Sequence, residues 1–385
     1  MRYNGKKIRF GVLSTARIGV KKVIPAMQKG EHTEVVAIAS RSAEKAREVA
    51  HDLGIRRWHG SYEALLADPD VDAVYNPLPN DQHVLWSIRA IEAGKHVLCE
   101  KPIALSAAEG RVLFEATRRH HHLKVMEALM YRHHPQWRKA KELVETGQIG
   151  ELRAIQVFFS FYNNDAGNIR NSSSRGGGAL MDIGCYASSL SRWLFNAQPQ
   201  RALGLVVNDP RFGVDRLVSA ILDFGIGHAT FTCSTQIAHF QRAHLAGIEG
   251  HVELSEAPFN PPNDRPCVVR LRRGNEVQRL KLEVCDQYRI QGDRFAEAIL
   301  NDAPVPIPLE DAVGNMEVID AIVASGRNGG CVRPGAAHPG SARERRPNRQ
   351  SSRDDFPLHT HVRHCDYTSS TRKELENGST NTTMY

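Results

Sequence analysis

Short apolar runs alternate with amphipathic stretches over the first third of the chain, and this alternation constrains the fold more than any other feature. The apolar runs are residues 8–13, 34–39, 73–76, 96–99 and 124–127. Stretches between them, such as 43–53 and 83–93, have the apolar period of a helix. Because parallel strands need long crossovers that cover the faces of their sheet, the alternation predicts an α/β domain over residues 1–127, with a doubly wound parallel sheet.

The pattern changes after a predicted linking helix at 136–146. Longer runs rich in β-branched and aromatic residues follow, at 151–161, 216–224, 228–235, 251–254, 268–271 and 278–284. Glycine-containing turns at 224–227 and 273–275 separate some of them, which is typical of hairpins. Helices are predicted at 288–300 and 309–324. We therefore expect an α+β domain over residues 128–330, built on a large, mostly antiparallel open sheet.

The last part of the chain differs again, because residues 335–385 are polar and have no apolar period. Such a segment cannot bury enough apolar surface to offset the entropy lost on ordering. A disordered tail is expected there.

The composition excludes several functional classes. The formal net charge is +7, but the basic residues are interleaved with acidic ones and form no nucleic-acid-binding motif. No run approaches the ~18 consecutive apolar residues of a membrane span, and no signal-peptide apolar region follows Lys6 and Lys7. The seven cysteines include no CxxC pair, so we expect reduced thiols in a cytoplasmic protein.

The histidines His120, His121 and His122 are consecutive and suggest a metal site at first sight. Adjacent side chains on a helix point about 100° apart, so these rings are not expected to converge on one ion. No metal is expected in this protein.

A turn of small residues follows the first predicted strand, where a dinucleotide-binding domain holds a pyrophosphate against a helix N-terminus. The turn reads Ser14, Thr15, Ala16, Arg17 and Ile18, followed by Gly19. Ser14 and Ala16 replace the first two glycines of the G-x-G-x-x-G pattern. Its position between a strand and a helix, with a second strand after it, supports this otherwise weak match. Residues 14–18 are the predicted cofactor turn.

The second predicted strand ends at Ser40 and Arg41. NAD-binding domains have an acidic residue about 20 residues after the turn, which binds the ribose hydroxyls. A carboxylate there would repel a 2′-phosphate, whereas a hydroxyl beside a guanidinium can bind one through charge-assisted hydrogen bonds. The pair Ser40 and Arg41 therefore favours NADP, with NAD as the alternative.

Further motifs carry a resemblance to a known family. Residues 76–80 read Asn-Pro-Leu-Pro-Asn, residues 100–102 read Glu-Lys-Pro, and a glycine-rich run occupies 176–186. Over roughly residues 6–330 the chain resembles the glucose-fructose oxidoreductase/inositol dehydrogenase (Gfo/Idh/MocA) family. The turn at 14–18 and the tyrosine at 186 resemble a subgroup that contains aldose 1-dehydrogenases, such as D-xylose 1-dehydrogenase, and trans-1,2-dihydrobenzene-1,2-diol dehydrogenases.

The resemblance implies roles for particular residues. Those beside the cofactor would be Pro77, Leu78, Asn80, His83, Glu100 and Lys101, although Asn80 fits a helix cap equally well. Glu127, Tyr131 and Arg132 lie in a stretch that resembles the family's cleft lining, so they would either meet the sugar or pack in the interior. The family's open sheets often pair face to face, which implies a homodimer or homotetramer.

The implied chemistry is hydride transfer between a carbinol carbon and a nicotinamide, which requires a base for the hydroxyl proton. Tyr186 and Asp182 are the candidates, and four residues apart on a helix they share one face. The Lys101 ammonium would lower the pKa of the Tyr186 phenol and polarise the substrate oxygen. Which of Tyr186 and Asp182 is the base stays open.

The predicted function is an NADP-dependent dehydrogenase that oxidises an aldose such as D-xylose or D-glucose at C1. The alternatives on the same scaffold are a cyclic trans-dihydrodiol, or another sugar or polyol, for example a sugar oxidised at C3. A non-catalytic NADP-binding regulator is a further alternative. The presence of both Lys101 and Tyr186 argues against it, because a regulator needs no base beside an ammonium.

Overall fold

Six parallel strands form the first sheet, in the order β3-β2-β1-β4-β5-β6. The strands are β1 (Ile8–Leu13), β2 (Thr33–Ala39), β3 (Arg57–His59), β4 (Ala73–Asn76), β5 (His96–Glu100) and β6 (Val125–Ala128). The computed structural model describes residues 6–336, so the predicted tail lies outside the described residues except for 335 and 336. The predicted parallel α/β sheet is confirmed.

Helices connect these strands and cover the sheet. They are α1 (Ile24–Met27), which follows a π-helical turn at Gly19–Val23, α2 (Ala43–Asp52), α3 (Tyr62–Leu66), α4 (His83–Glu92) and α5 (Ala107–Arg119). Three of them begin at a serine whose hydroxyl accepts a hydrogen bond from the backbone three residues on, at Ser42, Ser61 and Ser106. Such caps satisfy N–H groups that a helix leaves free at its start.

Eight strands form the second sheet, in the order β14-β13-β12-β11-β7-β10-β9-β8. The strands are β7 (Leu152–Tyr162), β8 (Arg201–Asn208), β9 (Asp215–Asp223), β10 (His228–Ser234), β11 (Gln236–Gly247), β12 (His251–Leu254), β13 (Val268–Arg273) and β14 (Glu276–Lys281). Strands β7 and β10 pair in parallel, and the other pairs are antiparallel. The predicted mostly antiparallel sheet is confirmed, as are its turns at 224–227 and 273–275.

The second sheet has one covered and one open face. Ile155, Val157 and Phe159 of β7 are buried on the inner face. Helices α6 (Pro135–Glu145), α7 (Cys185–Phe195) and α9 (Leu309–Asn328) pack on this side. On the outer face the alternate side chains are more exposed, which is the ordinary pattern of an antiparallel sheet covered on one side.

The remaining helix, α8 (Gln287–Leu300), packs against the first sheet although it follows the second in sequence. Its Phe295 ring lies 6.3 Å from that of Phe10 on β1. The Asp293 carboxylate accepts a hydrogen bond from the His32 backbone at 2.9 Å. The chain that leaves the second sheet therefore returns to pack on the first.

None of the helices within residues 6–336 is both long and apolar enough to cross a membrane. Six cysteines in the described part of the chain are free thiols, namely Cys99, Cys185, Cys233, Cys267, Cys285 and Cys331. The prediction of reduced thiols holds for these six, and Cys365 lies outside the described residues.

Candidate active site

The candidate site lies at the carboxyl edge of the first sheet. Carboxyl ends of parallel strands share one edge, and ligands of open α/β sheets bind there. The predicted cofactor residues lie at or just after the carboxyl ends of β1, β2, β4 and β5, at 14–18, 40–41, 77–83 and 100–101. The fold therefore brings these loops together from distant parts of the chain.

The turn after β1 fits a pyrophosphate. Ser14 has a φ of 89°, in the left-handed region that few L-residues adopt. Its hydroxyl accepts a hydrogen bond from the Ala16 N–H at 3.2 Å, and its own N–H donates to Ala39 O at 3.0 Å. Thr15, Arg17 and Ile18 complete the entry to the helix, whose first N–H groups have no acceptor within the helix. Such a helix start binds phosphate groups well.

The end of β2 fits a phosphorylated ribose. Ser40 is buried and its hydroxyl accepts a hydrogen bond from Ser42 N at 3.2 Å, whereas Arg41 is exposed. Burial raises the pKa of the nearby Tyr62 phenol, and the Arg41 charge opposes that rise. The exposed guanidinium at the strand end leaves the predicted preference for a 2′-phosphate in place.

His83 lies in the interior, at the start of α4. It is 1% exposed, and its Nδ1 and Nε2 lie 2.7 Å from the Pro102 and Leu78 carbonyl oxygens respectively. Burial lowers the pKa of the ring, although both carbonyls act in the opposite direction. Each ring nitrogen thus faces a carbonyl oxygen, and His83 lies between the loops that follow β4 and β5. Its implied contact with the cofactor stays a prediction.

Asn80 connects the two domains. Its side-chain amide donates a hydrogen bond to Gly176 O at 2.8 Å, and it caps no helix. The preceding Pro77 and Leu78 are buried, with Leu78 N donating to the Asn76 side chain at 3.3 Å. Asn80 thus makes a hydrogen bond between the two domains. The predicted contact with a cofactor stays a prediction for Pro77, Leu78 and Asn80.

Lys101, Asp182 and Tyr186 converge from distant positions in the sequence. The Lys101 ammonium donates to the Asp182 carboxylate at 3.1 Å and to the Asp182 carbonyl at 2.5 Å. The same nitrogen lies 4.9 Å from the centre of the Tyr186 ring. Asp182 is in a π-helical turn (Leu180–Gly184) that leads into α7, and Tyr186 follows on α7. Both therefore face Lys101, as the four-residue spacing predicts.

The charges in this cluster stabilise one another. Burial raises the pKa of Asp182, but Lys101 and Arg170 outweigh it and hold that pKa at about 2. Burial lowers the pKa of Lys101, but the Asp182 carboxylate together with Cys185 and Glu100 outweighs burial, so that pKa is raised. At neutral pH the pair is an ammonium and a carboxylate.

Tyr186 does not have the lowered pKa that its sequence context suggests. Burial raises the pKa of its phenol well above the ordinary value, and the nearby Asp182 and Glu100 add to the rise. The Lys101 ammonium lies over the ring face and is itself paired with Asp182. The Tyr186 hydroxyl donates to Met130 Sδ at 3.5 Å, a weak acceptor. The expectation of a ready phenolate is therefore wrong.

Glu100 precedes Lys101 at the end of β5 and accepts a hydrogen bond from the Tyr75 hydroxyl at 2.7 Å. Burial raises the pKa of Glu100, while Lys101 and the Tyr75 bond act against that rise. The carboxyl is thus engaged with an interior phenol. Its predicted contact with the cofactor stays a prediction.

The glycine-rich run before Asp182 allows two close approaches. A Cβ at Gly177 would lie 2.3 Å from Arg170 O, and one at Gly178 would lie 2.1 Å from an Asp215 carboxylate oxygen. Gly178 also has a φ of 117°, which L side chains rarely adopt. The Asp215 carboxylate accepts a hydrogen bond from Leu180 N at 2.7 Å. Glycine thus lets the helix that carries Asp182 and Tyr186 start against β9.

Arg170 comes from the same loop and completes the charged cluster. Its Nε donates to the second Asp182 carboxylate oxygen at 2.7 Å. The guanidinium also lies 6.0 Å from the centre of the Phe161 ring. Sequence reasoning missed Arg170 and Asp215, because each is a single charged residue in a loop or at a strand start with no motif around it. The three consecutive glycines at 176–178 are the one sequence signal for these residues, because such a run indicates that other parts of the chain approach the backbone closely.

The stretch expected to line the cleft is interior. Glu127 is 1% exposed and Tyr131 0% exposed. The Tyr131 hydroxyl lies 2.9 Å from the Ser189 hydroxyl, and Arg132 pairs with Asp311 at 2.8 Å. Of the two alternatives for these residues, the packing one holds. The aromatic ring of Tyr131 contacts that of Tyr186 edge to face, with centres 5.8 Å apart.

Comparisons with known proteins agree with this architecture. Residues 8–128 match the family model described as "Oxidoreductase family, NAD-binding Rossmann fold", and residues 137–253 match the GFO/IDH/MocA C-terminal domain. An oxidoreductase of Rhizobium meliloti is 45% identical over 84% of this chain and 98% of its own length. D-xylose 1-dehydrogenase (NADP(+)) 2 of Haloferax volcanii is 38% identical, also over 84% of this chain and 98% of its length.

The fold comparison leads to the same group of enzymes. A 3-ketoreductase from Actinomadura kijaniata, solved in complex with NADP and TDP-benzene, has a TM-score of 0.77 and 31% identity. The match covers 83% of this chain and 98% of the reductase. Two matched domains and two relatives aligned over nearly their full length leave one assignment: the chain belongs to the GFO/IDH/MocA family of NAD(P)-dependent oxidoreductases.

Proposed function

We propose that this protein transfers a hydride between a cyclic sugar and NADP, with Lys101 and Tyr186 acting on the reacting oxygen and Asp182 holding Lys101. The observation that carries the proposal is the position of the Lys101 ammonium. It lies 3.1 Å from the Asp182 carboxylate and 4.9 Å from the Tyr186 ring centre, at the carboxyl edge of the Rossmann sheet. Bound NADP would accept the hydride when the sugar is oxidised, and bound NADPH would supply it in the reverse direction.

The protonation states favour particular roles. Lys101 keeps its proton and can donate a hydrogen bond to the substrate oxygen, which stabilises negative charge there. Asp182, with a pKa of about 2, stays ionised and is a weak base. Tyr186 holds its proton at neutral pH, so it can donate to an oxygen that becomes an alkoxide. In the oxidative direction it must first lose that proton, and the rate should rise with pH.

The preference for NADP rests on the end of β2. The exposed Arg41 guanidinium and the Ser40 hydroxyl suit a 2′-phosphate. The names of the xylose dehydrogenase and of the reductase complex, which both specify NADP, support the same choice.

The preferred substrate is an aldose oxidised at C1, such as D-xylose or D-glucose, in line with the xylose dehydrogenase relative. Similarity to a 3-ketoreductase favours a second candidate, the reduction of a keto sugar at C3. Structures of that reductase include one with a tyrosine-to-phenylalanine change and one with a lysine-to-alanine change. The replacement of a tyrosine and of a lysine in that enzyme supports the roles proposed for Tyr186 and Lys101.

The experiment is a fluorescence assay of NADPH formation and consumption by the purified protein, across aldoses, inositols, cyclic dihydrodiols and keto sugars. Parallel reactions contain NAD instead of NADP. Turnover of an aldose with NADP supports the main proposal, and turnover of a keto sugar alone supports the second candidate. Binding of NADPH without turnover of any substrate would contradict both and favour a regulator.

The outer face of the second sheet supports a homodimer or homotetramer. Leu205, Val207, Ile221 and Phe240 are exposed on it, with Leu205 71% exposed. An apolar sheet face in water favours association with a second apolar face, and a second copy of this chain is the proposed partner. We also propose a cytoplasmic location, which suits free thiols and a soluble cofactor.

A further inference from the structure

Two buried side chains hold the peptide that follows Lys101. The peptide group between Pro102 and Ile103 has one carbonyl and one N–H, and both are bonded. The Pro102 carbonyl lies 2.7 Å from His83 Nδ1. The Ile103 N–H donates to Glu127 Oε1 at 2.8 Å. Because this peptide is one residue away from Lys101, its orientation limits where the Lys101 side chain can start.

A buried carboxyl such as that of Glu127 is an unusual acceptor for a backbone N–H. Glu127 is 1% exposed at the end of β6, and within residues 6–336 its second oxygen, Oε2, has no hydrogen-bond partner. A buried carboxyl with one free oxygen costs stability unless a proton or a neighbouring charge compensates. A neutral side chain would pack there with a smaller loss of stability. Packing alone therefore does not explain why a carboxyl occupies this position.

The charges around Glu127 come from several elements. Asp311 on α9 disfavours its ionised form, whereas Arg132 and Arg192 favour it. The thiols of Cys99 on β5 and Cys185 on α7 also lie close enough to interact with it. Burial dominates and raises the pKa of Glu127 to about 7. Both protonation states are therefore populated near neutral pH, and the ionised one makes the stronger bond to Ile103 N–H.

We propose that Glu127 is a positioning residue for Lys101, which it places by holding the Ile103 amide, and that its proton controls the strength of that hold. The proposal rests on the proposed function, since it assigns Glu127 a part in the same site. It differs from both roles that the sequence left open for Glu127, because Glu127 acts through the backbone of the Lys101 loop and does not touch substrate.

The test compares Glu127→Leu and Glu127→Gln with a matched control, Asp72→Asn. Gln retains an oxygen that can accept from Ile103 N–H but cannot ionise, whereas Leu retains neither property. Asp72 likewise accepts a backbone hydrogen bond, from Arg9 N at 2.9 Å, but at the opposite edge of the sheet. Each variant is assayed for kcat, for KM of NADP, and for the pH dependence of kcat.

We expect Glu127→Leu to lower kcat by about tenfold or more with little change in KM for NADP, since small misplacements of a catalytic group are costly. Glu127→Gln should stay within about threefold of wild type, because it keeps the acceptor of the Ile103 bond. Its kcat should also lose the inflection that Glu127 gives near pH 7 in the wild type. Asp72→Asn should match the wild type. A Glu127→Leu protein with wild-type kcat, or a Glu127→Gln pH profile identical to wild type, would overturn the proposal.

Hydrogen exchange of the peptide that contains Ile103 separates this proposal from the proposed function. Faster exchange is expected in Glu127→Leu, and unchanged exchange in Asp72→Asn. If the wild type turns over no sugar, the proposed function fails while the exchange result still decides whether Glu127 holds the loop. Equal exchange in Glu127→Leu and wild type refutes the hold itself.

Discussion

Tyr186 serves the core and the candidate site at once. Its ring lies against Phe259 and Tyr131, with centres 5.4 Å and 5.8 Å away. Its hydroxyl has only Met130 Sδ as a hydrogen-bond partner within residues 6–336. Loss of the hydroxyl should therefore affect chemistry far more than packing.

Tyr186→Phe should lower kcat by ~10²-fold or more, the usual contribution of an acid-base group, and change stability by about 1 kcal/mol or less. Tyr131→Phe is the matched control, because it removes a buried hydroxyl bonded to Ser189 at 2.9 Å from a ring in contact with Tyr186. The control should lose stability but keep its turnover. Steady-state kinetics and denaturant unfolding of both variants provide the comparison, and equal turnover of Tyr186→Phe and wild type would remove Tyr186 from the mechanism.

Sequence motifs could identify Lys101, Asp182 and Tyr186 as residues of one site, because the strand order and the helix period bring them together. The protonation states could not be predicted, since they depend on burial and on partners from elsewhere in the chain. Asp182 is held at a pKa of about 2 partly by Arg170, a loop residue with no motif. Nor could the sequence show that the His83 ring is buried between the Pro102 and Leu78 carbonyls.

At the level of elements, the glycine run controls how closely the 169–178 loop approaches the site. Gly177 has no side chain to meet Arg170 O, which a Cβ would approach to 2.3 Å. The loop in turn places the Arg170 guanidinium on Asp182. A change at Gly177 should therefore reach the charged cluster.

Gly177→Ala should cost about 1–3 kcal/mol, the range for an added methyl group in a tightly packed place, and should reduce kcat because Arg170 shifts with its carbonyl. Gly330→Ala, where an added Cβ meets nothing within 4 Å, is the control and should change neither. Denaturant unfolding together with kcat measures both effects. Equal stabilities of the two variants would show that the approach at Gly177 is not tight.

Strands with buried apolar residues were predictable almost to the residue, and exposed ones were not. Three strands end at the residue where the predicted apolar run ends, namely β1 (Ile8–Leu13), β4 (Ala73–Asn76) and β12 (His251–Leu254). The missed strands β3, β8 and β11 have many exposed or polar positions, and β11 is exposed over residues 237–240. Such strands are stabilised by pairing with neighbouring strands, and the local sequence pattern does not show which strands those are.

At the level of the whole molecule, buried histidines make the fold sensitive to acid. Burial lowers the pKa of His133 from 6.5 to about 3 and those of His96 and His134 to about 4. The unfolded chain therefore binds more protons than the folded one below pH 6.5. Above pH 6.5 these histidines are neutral in both states and the folded protein keeps its full stability. That stability is lost as the pH falls from 6.5 towards the pKa values that the histidines have in the folded protein.

The free energy of unfolding should fall between pH 6.5 and about pH 4, by up to ~1.4 kcal/mol per pH unit for each fully buried histidine. Glu127, with its raised pKa of about 7, acts in the opposite sense between pH 4.5 and 7 and partly offsets the fall. His133→Gln should reduce the slope, whereas His51→Gln, with a side chain 90% exposed, should leave it unchanged. Urea unfolding at a series of pH values tests this, and a slope unaffected by His133→Gln would contradict it.

In the proposed reaction, Lys101 and Tyr186, brought together by the two domains, act on the oxygen of a sugar carbon that exchanges a hydride with NADP. Mass spectrometry of the nucleotide follows this hydride, with a substrate identified in the fluorescence assay and labelled with deuterium at the carbon that is oxidised. The wild type should produce deuterated NADPH, and Lys101→Ala should bind NADPH with similar affinity yet produce almost none. Unlabelled NADPH from the wild type, or equal labelling by Lys101→Ala, would contradict the claim.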